Sequence, residues 1–180
     1  AADKGGKKAV EQSYLPPEAS GWSGCGVSVQ AGLVNADADF GAPINIGVNG
    51  QSAGVGAYCD RLWDRFLLGI FTDYSWFLGD LHSGVVGADN SITAGGRAGF
   101  LLNSSVLAYG LVEWIRGDFG SNHVNGVKVG GGLEARLLNA PVFLAVEYQK
   151  ATYSNVMGST ADVNADEVMV RLRYKFAIGQ

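Results

Sequence analysis

Glu167-Val168-Met169-Val170-Arg171-Leu172-Arg173-Tyr174-Lys175-Phe176 is the stretch that decides the fold. Successive side chains of an extended chain point to opposite faces. Val168, Val170, Leu172, Tyr174 and Phe176 therefore share one face, and Glu167, Met169, Arg171, Arg173 and Lys175 share the other. A helix would scatter both sets around its axis, so the segment reads as a strand with one greasy and one charged side.

Working outward from it, the same period recurs about eight times between Trp22 and Phe176. Val142, Leu144, Val146 and Tyr148 oppose Phe143, Ala145, Glu147 and Gln149, and Val127, Val129, Leu133, Ala135 and Leu137 oppose Lys128, Gly130, Gly132, Glu134 and Arg136. Further upstream, Ile92, Ala94, Ala98, Phe100 and Leu102 oppose Arg97, and Phe66, Leu68, Ile70, Tyr74 and Trp76 oppose Asp73. The first two segments, 22–34 and 52–61, set Val27, Val29, Ala31 and Leu33, then Ala53, Val55 and Ala57, against Gly, Ser, Gln and Tyr. The segment 105–116 is apolar on both sides. Placing Glu113 inward, because an acidic side chain facing lipid costs energy, sends Leu107, Tyr109 and Leu111 inward with it. The connections alternate long and short: 35–51, 62–64, 77–90, 103–104, 118–123, 138–139 and 154–161. Short periplasmic turns and longer extracellular loops are the pattern of outer-membrane barrels when the N-terminus is periplasmic.

Composition separates a barrel in lipid from one in water. Charged residues make up 17% of the 180, below the roughly 25% of soluble domains, and glycine numbers 27. The longest apolar run, Phe66–Phe71, is far shorter than the ~20 residues of a transmembrane helix. A net charge of -4 excludes nucleic acid as a partner, since phosphate binding needs clustered cations. A lipocalin-like barrel shares the period but puts its apolar face inside. Here the charged face also carries Gly54, Gly56, Gly69, Gly95, Gly99, Gly130 and Gly132, which suits a cramped interior rather than a solvated surface. Aromatics collect at strand ends, with Trp22, Trp63, Phe66, Tyr174 and Phe176 toward one rim and Tyr74, Trp76, Trp114, Tyr148 and Tyr153 toward the other, as two interfacial girdles would.

Gly21-Trp22-Ser23-Gly24, the run Leu68-Gly69-Ile70-Phe71-Thr72-Asp73-Tyr74-Ser75-Trp76 and the closing Val168–Phe176 together resemble the small outer-membrane β-barrels of the opacity and OmpA/OmpX type, especially their porin-like proteobacterial members. The resemblance covers residues 21–176. It implies a closed antiparallel up-and-down transmembrane barrel in the bacterial outer membrane, and a terminal aromatic, Phe176, serving as the signal for insertion. Residues 177–180 follow that aromatic as a short extension. Residues 1–20 lack periodicity, contain Pro16-Pro17 and the cluster Lys4, Lys7 and Lys8, and read as a periplasmic tail. Ala1-Ala2-Asp3 fits a start left by signal cleavage at small residues.

Three kinds of chemistry remain. The inward set, Asp73, Arg97, Glu113, Glu134, Arg136, Glu147, Arg171 and Arg173 with Asp60, Lys128, Glu167 and Lys175, reads as a mutually neutralising network in the lumen, or else as a constriction that selects solutes. Cys25 and Cys59 lie on the outward sets of the first two strands. If Leu33 opposes Gln51 they face each other near the periplasmic rim, and export supplies the oxidant for a disulfide; two free thiols facing lipid or a partner are the alternative. His82 and His123 lie in two different loops, neither with zinc spacing to a cysteine; Ser83 beside His82 is the best available pair for a rim enzyme acting on lipid, and a solvated loop histidine is the plainer reading. Loop acids Asp37, Asp39, Asp80 and Asp89 read as hydrated. No catalytic, cofactor or metal residues are expected. The expected function is structural or porin-like, in contact with outer-membrane lipid and lipopolysaccharide. An adhesin or assembly subunit is the alternative, its lateral protein partner admitted by Ala31, Ala53, Ala57, Ala94, Gly96, Ala98 and Gly131.

Overall fold

The computed structural model describes residues 21–39, 45–78, 88–119, 122–137, 140–154 and 163–176. The expected tail 1–20 and extension 177–180, and His82, Ser83 and Asp80, lie outside the described residues, as do the side chains of His123, Asp37, Asp39 and Asp89. The described chain forms β1 (Gly24–Asp39), β2 (Asn45–Trp63), β3 (Phe66–Leu78), β4 (Ala88–Asn103), β5 (Val106–Phe119), β6 (Asn122–Leu137), β7 (Val142–Ser154) and β8 (Val163–Lys175). Each pairs antiparallel with the next, and β8 closes on β1 to give an eight-stranded barrel.

The register fixes the barrel's shape. A path along the ladder from Tyr174 crosses Val27, Ala57, Thr72, Ala94, Trp114, Val127 and Thr152, then returns to β8 at Asn164, ten residues before its start. A shear of that size over eight strands tilts each strand by about 40° from the barrel axis. From Phe66 to Trp76 along β3, at about 3.3 Å per residue and that tilt, the apolar wall then rises about 25 Å, the height of a membrane band. Long tilted strands also explain why β1 and β2 stay paired out to Asp39 and Asn45, well into the segment 35–51 expected to be a loop.

The β2–β3 and β4–β5 turns at the periplasmic end are tight. Asp64, between β2 and β3, takes a positive φ of 54°, which Asp tolerates better than most residues. Between β4 and β5, the Ser105 amide donates to Asn103 Oδ1 at 2.8 Å. Trp63, Phe66, Phe100, Tyr174 and Phe176 face outward at this end, and Tyr74, Trp76, Trp114 and Tyr148 at the other.

Two aromatics expected in those girdles point inward instead. Trp22 precedes β1, so strand alternation does not govern it; its chain turns under the barrel and buries the indole completely. Tyr153 shares the parity of Phe143, Ala145, Glu147, Gln149 and Ala151, and that places it in the lumen. Glu113, Leu107, Tyr109 and Leu111 do line the interior.

Candidate functional site in the barrel lumen

Alternation alone delivers the buried set. Asp60, Asp73, Glu113, Glu134, Glu147 and Glu167, with Arg97, Lys128, Arg171, Arg173 and Lys175, all project inward and are shielded from solvent. Room for them comes from the inward glycines. A Cβ on Gly56 would fall 1.8 Å from Asp73 Oδ1, and one on Gly69 would fall 2.1 Å from Asp60 Oδ1, so both carboxylates occupy space that any larger residue would fill.

The ions form two groups joined by the neutral amide of Gln149. Asp60 accepts from Arg97 Nε at 2.9 Å and Nη2 at 2.6 Å, and lies 3.0 Å from Lys175 Nζ. The other arm of Arg97, Nη1, reaches Glu134 Oε2 at 2.5 Å, and Arg173 Nη1 donates to the same oxygen. Arg173 Nη2 donates to Glu147 Oε1 at 3.0 Å, where the Tyr109 hydroxyl also donates, at 2.5 Å. Arg171 links Glu147 to β3, donating from Nη2 to Glu147 Oε2 at 3.3 Å and from Nη1 to Asp73 Oδ1 at 2.7 Å. Higher in the barrel, Gln149 Nε2 donates to Glu147 Oε2 at 2.9 Å and Gln149 Oε1 accepts from Lys128 Nζ at 3.5 Å. Lys128 also donates to Glu167 Oε2 at 2.8 Å, and Ser52 Oγ to Glu167 Oε1 at 2.7 Å. Glu113 is the loosest member, with Lys128 Nζ 3.8 Å away. Arg136 sits at the end of β6, its Nε 3.5 Å from the Ala140 carbonyl oxygen and its guanidinium against Gly21 at the barrel mouth.

Rings complete the packing. The Arg97 guanidinium lies 5.0 Å from the Tyr109 ring centre and 5.8 Å from that of Tyr58, and Arg173 lies 5.6 and 5.3 Å from the same two rings. Desolvated cations gain from such aromatic faces as well as from their carboxylates. Apolar layers close both ends. Trp22 packs against Phe143 at 4.9 Å, with Leu67, Leu101 and Leu107 around it, and Ile115, Val124, Ala151, Tyr153 and Ala165 fill the extracellular side. Trp22 Nε1 donates to the Ser104 carbonyl at 3.0 Å, its own carbonyl accepts from Lys175 Nζ, and Ser23 Oγ accepts from the Leu62 amide at 2.9 Å. Periodicity carries no signal for a residue outside a strand, which is why this plug is missed by sequence reasoning. Outside the lumen, β1 and β2 hold Cys25 opposite Cys59 near the periplasmic end, and the two are joined by a disulfide.

An ion-packed interior inside an apolar wall is stable only with lipid outside, and a closed antiparallel barrel is the one strand architecture that spans a membrane. The chain is a small transmembrane β-barrel. No family model and no curated protein matches the sequence. Among solved structures it is similar to Neisserial surface protein A, at 19% identity over 83% of this chain and 97% of that one, with a TM-score of 0.53. It is also similar to Ail, the attachment invasion locus protein of Yersinia pestis, at 15% identity over 86% and 99%, with a TM-score of 0.55. At these identities the likeness is one of fold.

Proposed function

We propose that this chain is a non-enzymatic envelope protein, a structural member of the porin-like barrels whose lumen does not conduct. The observation that carries this reading is the polar network that fills the bore, from Lys175 and Asp60 through Glu147 and the Gln149 amide to Lys128 and Glu167. Eight strands leave an interior just wide enough for side chains, whereas about 16 to 18 strands are needed for a water-filled channel. Opening a path would separate Arg97, Arg173 and Arg171 from Glu134, Glu147 and Asp73, and each stranded ion costs several kcal/mol. Residues 21–176 act as the barrel unit, with 1–20 as a periplasmic tail and 177–180 as a short extension. Phe176, outward and edge-on to Tyr174 at 5.6 Å, is the aromatic signal read at insertion. The surrounding solvent is outer-membrane lipid, with lipopolysaccharide outside.

Planar-bilayer recording of the purified monomer tests the reading. Traces without large, stable unitary steps are expected. Such steps, persisting when no oligomer is present, would show a hydrated pore and sink the proposal.

A further inference from the structure

The apolar wall thins where β4 and β5 carry small outward residues. Gly96 and Ala98 on β4 and Gly110 on β5 floor a groove of about 820 Å³, with Leu68, Ile70 and Val112 as its lips. Nothing in the barrel itself asks for glycine at Gly96 or Gly110. Neither has a positive φ, and a Cβ would meet only the Gly69 carbonyl oxygen at 3.6 Å or the Gly130 carbonyl oxygen at 3.7 Å, both ordinary contacts. The inward glycines are the opposite case, since side-chain and backbone atoms already fill the place of their Cβ. A glycine inside a strand forfeits β propensity and cross-strand packing, and one without a backbone reason leaves room for another molecule to approach closely.

The chemistry of that molecule is set by Arg61, which also lines the groove. Arg61 stands on β2 opposite Leu68, two residues before Trp63 of the periplasmic girdle. Its side chain is exposed and makes no ion pair among the described residues. The groove thus runs from the middle of the wall toward the periplasmic interface and ends on an uncompensated cation at headgroup depth.

We propose that this groove binds a glycerophospholipid of the inner leaflet, an acyl chain lying on Gly96, Ala98 and Gly110 and the phosphate paired with Arg61. A second copy of the chain fits less well. Among the described residues the strands offer no outward carboxylate in the periplasmic half; the outward Asp166 lies on the extracellular side, where it accepts from the Tyr148 hydroxyl at 2.5 Å. Lipopolysaccharide occupies the other leaflet, at the wrong end of the groove.

Native mass spectrometry of the micellar protein titrated with phosphatidylglycerol tests this. The expected result is a monomer retaining one phospholipid. Arg61→Gln lowers that occupancy roughly fivefold, the worth of one basic side chain at an anionic surface. Gly110→Leu, which fills the floor, lowers it as far, while Arg116→Gln, removing an exposed cation at the extracellular end, leaves it unchanged. Retention at the parent level in Arg61→Gln overturns the proposal whether or not Gly110→Leu folds. Equal loss in Arg116→Gln, or a dimer in place of the lipid-bound monomer, overturns it too.

Discussion

At the scale of single residues, the lumen and the wall make opposite demands on the same amino acid. Gly56→Ala places a methyl group on Asp73 Oδ1 and disturbs its pair with Arg171, so a loss of about 1–3 kcal/mol is expected, the cost of overpacking. Gly110→Ala meets only a carbonyl oxygen at 3.7 Å and is expected to unfold like the parent, or slightly later. Urea unfolding in micelles of fixed composition separates the two. Arg171→Ala strands Asp73 and leaves Glu147 with one cation fewer; about 3–5 kcal/mol is expected to be lost, as when one partner of a buried pair is removed. If the Arg171→Ala variant unfolds with the parent, its carboxylate partners are hydrated, and the closed-lumen reading loses its support. The alternation of Arg171, Arg173 and Lys175 with Val170, Leu172 and Tyr174 makes the inward direction of these ions legible in the sequence. Their partners are not, because Arg171 meets Asp73 on β3 and Arg97 meets Glu134 on β6 across the bore, at distances in space that no periodicity records.

The strands themselves were the most legible elements, since each needs only a period of two and a polarity contrast. Their ends were not. Asn35 and Gln51 are polar and look like loop residues, yet a tilted strand needs more length than an upright one to cross the same thickness, and the pairing of β1 with β2 continues past them. The opposition of Leu33 and Gln51 also carries Cys25 to Cys59. That bridge closes a segment with a sequence separation of 34, and its removal by paired serine substitution is expected to cost about 2–4 kcal/mol. Intact mass after alkylation, with and without reduction, checks the pairing: no label is expected before reduction and two afterwards. Labelling of the unreduced protein would refute the bridge.

Across the whole molecule, the lumen is blocked in series, by the Trp22 plug, the polar network and the extracellular apolar layer. Trp22→Ala therefore lowers stability by about 3–5 kcal/mol, as loss of a buried aromatic does, without producing a large current. Unfolding and bilayer recordings on one preparation check both halves, and a conducting Trp22→Ala barrel would make the plug a gate rather than a strut. The plug also bears on time. Trp22 rests on Ser104 in the turn between β4 and β5, on Phe143 of β7 and on Lys175 of β8, so its seat does not exist until strands from every part of the chain have gathered. The other tryptophans, Trp63, Trp76 and Trp114, face the lipid. During assembly in vesicles of brominated lipid, those three lose their emission as they enter the bilayer. The indole of Trp22 stays bright and becomes a clock for the moment the cylinder is complete.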